Sequence, residues 1–223
     1  MNNSLDDFFS QYNVLSYDKD QIIIHADDIP TGVFYLKSGF VKMSSILENG
    51  REITLNIFKP GSYFPMIWAI TDIPDTYFYK TIAPTELQRA PRDLLIEFVK
   101  KNPEALYSLT KRILIGVKGL LLNIEYQLSG DSYHRVIAAL VLSTKRFGVK
   151  GKSDKHIINI PLTHQEIADL AGLTRETVSL AIEKLVKKKI ILYQGKKLVI
   201  NDFLKLEEES TIDEMEALKP ETL

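Results

Sequence analysis

The chain has 223 residues and no cysteine, which excludes disulfides, thiolate-held metal or iron–sulfur clusters and thiol switches. Net charge is also nearly missing: 28 Lys+Arg against 29 Asp+Glu leave −1, which taken alone speaks against a nucleic-acid partner. Long apolar runs are absent as well. The longest, "ILIGVKGLLL", is about half a membrane span and is broken by Lys118. The start, "MNNSLDDFFS", has neither the basic end nor the apolar stretch of a secretory signal, so a soluble cytoplasmic protein is expected. No internal repeat, low-complexity linker, Walker loop, G-x-G-x-x-G or G-x-S-x-G occurs. The acid pairs Asp6–Asp7 and Asp27–Asp28 sit in cap or turn contexts that need no catalytic role. What is present is 45% apolar residues, enough for one large core or two small ones.

The small net charge hides an uneven distribution. Residues 131–203 carry 13 Lys+Arg against 7 Asp+Glu, and residues 204–223 carry 2 against 7. The basic surplus marks a segment able to neutralise phosphates, and the acidic end reads as a solvated tail or loose helix in preference to a segment folded back over the basic face.

Within the basic segment, "PLTHQEIADLAGLTRETVSLAIEKL" (residues 161–185) contains two helical patterns joined by a very short turn. Thr163 with Glu166 forms a capping box for the first helix. The second starts at Thr174 and places Val178, Ala181, Ile182 and Leu185 on one buried face. Gly172 can take the left-handed conformation that so tight a turn demands, and Leu173 can plug the corner. Arg175, Glu176 and Ser179 project from the opposite face of the first turns, the part of a helix-turn-helix that enters a major groove. An arginine there can bond both acceptors of a guanine, and a glutamate can accept from cytosine N4. "HIINI" and "IILYQGKKLVI" flank the pair as small strands, which makes a winged helix. Lys196 and Lys197 at the hairpin turn could reach phosphates.

Residues 20–90 read as short strands rich in β-branched and aromatic residues. Asn49–Gly50 is a hairpin signal, and Gly32, Gly39, Gly50 and Gly61 recur at the even spacing of a small barrel or roll. In "EITLNIF", Ile53, Leu55 and Ile57 are expected on one face. A long helix follows, with Asn102 as its cap and Pro103 at its first position. Its stripe of Leu106, Leu109, Ile113, Gly116, Leu120 and Asn123 suits packing on its own roll and a seam with a second copy, where Gly116 allows close approach. The pattern breaks near residues 129–133, the expected hinge, and Asp131 or Ser132 can cap the next helix. The expected organisation is α+β: a β-roll (a cupin-like jelly roll) over 1–101, a dimerisation helix over 102–130, a winged helix-turn-helix over 131–203 and the tail.

This order resembles the Crp/Fnr family of bacterial transcription regulators over roughly residues 15–203, through "VFYLKSGFVKMSSILENGREITLNIFKPGSYF" and "LTHQEIADLAGLTRETVSLAIEKL". The resemblance implies a homodimer on a pseudo-palindromic duplex site, with RNA polymerase as a further partner if the protein activates. It assigns base reading to Arg175 and Glu176, and phosphate contacts to Thr163, His164 and Gln165. Four residues after Glu176 well-known members carry a second base-reading arginine. Here stands Leu180, which can only pack on a thymine methyl or turn from the groove.

The roll departs from the cyclic-nucleotide pattern in three places. Pro65 and Met66 stand at the Gly-Glu position, Asp75 and Thr76 at the Arg-Ser position, and Leu120 and Leu121 where a polar pair meets the base. An acid facing a phosphate opposes binding, so no cAMP response is expected. Met66, Trp68, Tyr77, Phe78 and Leu120 could line a pocket for an apolar or aromatic effector, or could simply fill the roll. No cofactor or metal is implied. The rival, a cupin-like metal enzyme, needs clustered ligands, yet His25, His134, His156 and His164 lie on unrelated elements.

Overall fold

A computed structural model describes residues 4–128, 131–151, 155–195 and 197–210. It divides into two compact units, Met1–Leu114 and Ile115–Leu223. The first opens with α1 (Leu5–Ser10), capped by Ser4, a helix beyond those the sequence pattern predicts. Eight strands follow: β1 (Val14–Tyr17), β2 (Ile22–Ile24), β3 (Val33–Ser38), β4 (Val41–Ile46), β5 (Glu52–Phe58), β6 (Tyr63–Phe64), β7 (Phe78–Thr81) and β8 (Thr85–Ala90). They form two antiparallel four-stranded sheets, ordered β1-β8-β3-β6 and β2-β7-β4-β5. The short α2 (Met66–Thr71) interrupts them, and α3 (Arg92–Lys101) precedes the long α4 (Pro103–Leu128).

Strand β3 shows how the core is built. Successive side chains point to opposite faces of a sheet. Val33 therefore joins a cluster with the helices, among Phe9, Tyr63, Leu95, Val99 and Leu109. Phe34 and Leu36 join a second cluster with Phe64, Tyr79 and Leu87. The second cluster holds a ring stack: Phe64 lies 5.1 Å from Phe58, 5.2 Å from Tyr79 and 5.6 Å from Phe34, centroid to centroid. The Asn49–Gly50 hairpin joins β4 to β5, and Gly50 has φ 78°. A Cβ on Gly39 (φ 84°) would stand 2.4 Å from the Pro84 carbonyl oxygen, so only glycine fits there.

Several expectations need correction. The alternation in β5 is broken by an irregularity opposite Met43 and Ser44, so Ile57 is buried together with Thr54, while Ile53 and Leu55, expected on the face of Ile57, are only partly buried. Asn102 does not cap α4 with its side chain. Its Nδ2 donates back to the Phe98 carbonyl at 2.7 Å, finishing α3, while its backbone carbonyl accepts from Leu106. Leu109, expected on the seam, is 3% exposed in the core of its own unit beside Ala105.

The second unit is built on α5 (Ser132–Phe147), whose cap is Asp131, accepting from Tyr133 N and His134 N. Then come β9 (Gly148–Lys150), β10 (His156–Ile158), α6 (His164–Ala171), α7 (Arg175–Lys187), β11 (Ile191–Gln194), β12 (Lys197–Ile200) and α8 (Phe203–Glu208). The sheet order is β11-β12-β10-β9, all antiparallel. The acidic tail begins later than residue 204. Leu206 is fully buried, Glu207 pairs with Lys145 at 2.9 Å and Glu209 with Lys188 at 2.6 Å, because a short amphipathic helix plus two ion pairs binds α8 to its unit. Residues 211–223 of that tail, and residues 129–130 of the expected hinge, lie outside the described residues.

Candidate nucleic-acid interface

Helix α6 starts at a complete capping box. Thr163 Oγ1 accepts from Glu166 N at 3.2 Å, and the Glu166 carboxylate accepts from Thr163 N at 2.5 Å. It ends at Gly172, left-handed at φ 62°. Thr174 caps α7, accepting from Thr177 N at 3.3 Å. Val178, Ala181, Ile182 and Leu185 are buried. Leu173, expected to plug the corner, is half-buried, and its backbone N–H donates to the Ala168 carbonyl.

The turn is held from a third helix by a residue that sequence reading missed. Arg135 of α5 donates through Nη2 to the carbonyls of Ala171 (2.5 Å) and Gly172 (3.0 Å). These are C-terminal groups of α6, which have no partner within the helix and carry partial negative charge, so a guanidinium suits them. No pattern near Arg135 could reveal this, since its partners lie 36 and 37 residues away. A side chain on Gly172 would also approach this guanidinium: its Cβ would stand 2.8 Å from Nη2.

The outward face of α7 carries Arg175 and Glu176, both exposed. Among the described residues neither side chain has a hydrogen bond or ion pair. Thr163, Gln165 and Thr174 are exposed as well. Gln165 donates from Nε2 to Asp169 at 2.7 Å. His164 and Ser179 are turned toward each other. His164 Nδ1 lies 2.8 Å from Ser179 Oγ, and its Nε2 lies 3.0 Å from the Tyr193 hydroxyl of β11. Ser179 Oγ donates to the Arg175 carbonyl at 2.9 Å. A neutral ring protonated on Nδ1 satisfies all three contacts. The imidazole thus ties the first helix, the reading helix and the hairpin strand together. Tyr193 is the second residue that the sequence did not point to. Lys197 is exposed beside the hairpin turn, where Gly195 has φ 61°. Lys196 lies outside the described residues.

Within the first unit, the residues expected to line an effector pocket are divided among different neighbours. Met66 and Trp68 pack against the helix-side cluster, whereas Tyr77 packs against the ring stack and the Phe78 ring meets that of His25 at 6.2 Å. Met66 and Trp68 belong to the short α2, which packs on the helix-side cluster, whereas Phe78 belongs to β7. Leu120 is exposed on α4. A depression of about 360 Å³ lined by Asp6, Tyr63, Glu104 and Arg112, among others, contains none of the five. Asp75, at the Arg-Ser position, is buried and accepts from Tyr79 Oη (2.9 Å) and Tyr77 N (3.1 Å). Among the described residues no three His, Asp or Glu side chains gather as a metal site, and no helix is long and apolar enough to cross a membrane.

A capped two-helix reader braced by a third helix and flanked by a β-hairpin is a winged helix-turn-helix, so the fold defines a DNA-binding protein that also carries a β-roll. The Crp-like helix-turn-helix domain matches residues 134–209, and the cyclic nucleotide-binding domain matches residues 14–102. The global nitrogen regulator of Nostoc sp. is 30% identical over 194 residues, covering 84% of this chain and 85% of that protein. The solved structure of FixK2 from Bradyrhizobium japonicum superposes with a TM-score of 0.78 at 21% identity, covering 90% of this chain and 98% of that one. A CRP/FNR-family transcriptional regulator from Thermus thermophilus gives a TM-score of 0.71 at 21% identity, with 90% and 99% covered. The chain belongs to the Crp/Fnr family of transcription regulators.

Proposed function

We propose that the chain is a sequence-specific, non-enzymatic regulator that binds a pseudo-palindromic duplex site as a homodimer and does not respond to cAMP. One observation carries the DNA reading: Arg175 and Glu176 stand exposed, with no side-chain partner among the described residues, on the first turn of a capped helix whose preceding turn Arg135 braces. Thr163, Gln165 and Thr174 flank them as phosphate partners, and Lys197 extends the basic edge. His164 and Ser179 act mainly by positioning.

Dimerisation is supported by the exposed apolar residues Ile113, Leu114, Val117, Leu120, Leu121 and Ile124 of α4. Gly116 and Gly119 add to this. A glycine inside a helix costs about 1 kcal/mol relative to alanine, yet a Cβ at either position would meet nothing within 4 Å. A partner helix approaching closely gives those glycines a reason. Leu109 does not belong to this seam.

The cAMP reading rests on Asp75 and the ring stack. The resemblance puts the buried Asp75 where the phosphate-neutralising arginine would stand, and Phe34, Phe58, Phe64 and Tyr79 stack in the roll's core. Gel-shift titration of a selected site with the wild-type chain and Arg175→Ala tests the first claim; unchanged specific binding would remove Arg175 from the site. Calorimetry with cAMP tests the second, and micromolar binding would overturn it.

A further inference from the structure

Over its first two turns the outward face of α7 is polar except at Leu180; Val186, the other exposed apolar residue of the helix, lies in its last turn. With about 100° between successive residues, the buried Val178, Ala181, Ile182 and Leu185 centre on one side of the helix. Glu176, Leu180 and Glu183 fall on the other. Leu180 lies one turn after Glu176 and about 40° from it around the axis. It is 64% exposed, so it has not turned under the helix into the core. Single exposed leucines are common and ask for no partner. This one differs because a base edge faces it whenever Arg175 and Glu176 read DNA. Its turn is also fixed, since the neighbouring Ser179 is held by His164 and, through it, by Tyr193.

Resting on the DNA reading proposed above, we infer that Leu180 packs on the 5-methyl group of a thymine and so selects a T·A pair at one position of each half-site. The methyl is the only apolar group that base pairs offer in the major groove. Leucine has no donor or acceptor, so against guanine, adenine or cytosine edges it removes water and returns no hydrogen bond. Against a thymine it buries apolar surface on both partners. The preference therefore arises twice, from contact with the right pair and from lost hydration at the wrong ones.

Selecting sites from randomised duplex DNA with the full chain, in parallel with Leu180→Ala, identifies the half-site. Each thymine is then replaced in turn by deoxyuridine, which removes the methyl alone. At one position this should weaken wild-type binding roughly fourfold per half-site, the worth of one buried methyl-sized group. The same replacement should leave Leu180→Ala binding unchanged, and Leu180→Met, which keeps an apolar contact, should retain the loss. A half-site without thymine, or equal responses of wild type and Leu180→Ala at every thymine, overturns the inference while leaving DNA binding intact. If the wild-type chain enriches no sequence at all, base reading by α7 fails, and this inference fails with it.

Discussion

Asp75 of the N-terminal unit and the Arg175–Glu176 pair of the C-terminal unit sit where the resemblance places ligand contacts, yet they are treated in opposite ways. Asp75 is buried and satisfied by Tyr79 and Tyr77. Arg175 and Glu176 are exposed and have no partner among the described residues. A polar group inside a roll must find partners within the protein, because burying it unpaired costs free energy. A helix N-terminus on the surface carries no such demand and can hold its side chains ready for another molecule. The difference teaches that a polar side chain inside the roll is taken up by the protein's own contacts, whereas Arg175 and Glu176 remain available for the proposed contact with DNA.

The largest expected effects come from the roll, where the contrast predicts loss of stability without a direct effect on DNA contacts. Phe64→Ala removes the centre of the ring stack and should cost about 3–5 kcal/mol, read by urea unfolding. A loss no larger than that of a surface substitution would show that the stack is not the core. In the other unit, Arg135→Met should cost about 1–3 kcal/mol by leaving the Ala171 and Gly172 carbonyls without their donor, and should also weaken DNA binding by loosening the turn. Full affinity in that variant would mean that the turn holds its angle unaided.

Arg175→Ala should lose about 1–3 kcal/mol of affinity at the preferred site and relax specificity there, with its unfolding curve unchanged. Lys197→Ala should instead weaken all duplexes alike and reduce the salt slope by about one, which a titration at two salt concentrations would show. Thr163→Ala comes next, at about 1 kcal/mol of stability for the lost cap, measured by the same urea unfolding.

The smallest effects concern pH, and their signs oppose one another. Burial, the larger influence, holds the Asp75 carboxyl above its ordinary range despite the hydrogen bonds from Tyr79 and Tyr77, which lower it. The folded state then binds that proton more tightly. Its contribution is greatest at low pH and declines as pH rises from the ordinary aspartate value of about 3.9 through the raised folded value. The Lys188 hydrogen bond holds Glu209 below its range. That contribution is present above the ordinary glutamate value of about 4.3 and is lost as pH falls through the lowered one. Asp75→Asn should therefore remove a decline that starts above about pH 4, and Glu209→Gln a gain complete by about pH 5. Unfolding midpoints across the acid range, if shifted by both variants in one direction, would contradict this assignment.

The reader is more legible in the sequence than the roll, for a physical reason. The Thr163–Glu166 box, the left-handed Gly172, the Thr174 cap and the face of Val178, Ala181, Ile182 and Leu185 all arise from residues within one or two turns of each other. Local spacing encodes such features directly. In the roll, the bulge in β5 shifts which residues are buried, and α1 and α2 escape the pattern because each has only six residues and is stabilised by packing, whereas Leu95 and Val99 of α3, four residues apart, carry a helical spacing that could have been read.

The sequence by itself determined the two-helix motif, its caps, its basic surroundings, the Asn49–Gly50 hairpin and the missing arginine at Asp75, since each depends on residue type at short range. Only the tertiary structure decided that Arg135 braces the turn, that His164 joins Ser179 to Tyr193, that Leu109 belongs to the roll's core, and that Met66 and Tyr77 go to different clusters. Those contacts join residues far apart in the chain. Which of many chemically possible partners a side chain meets is then settled by how sheets and helices pack, not by its neighbours in sequence.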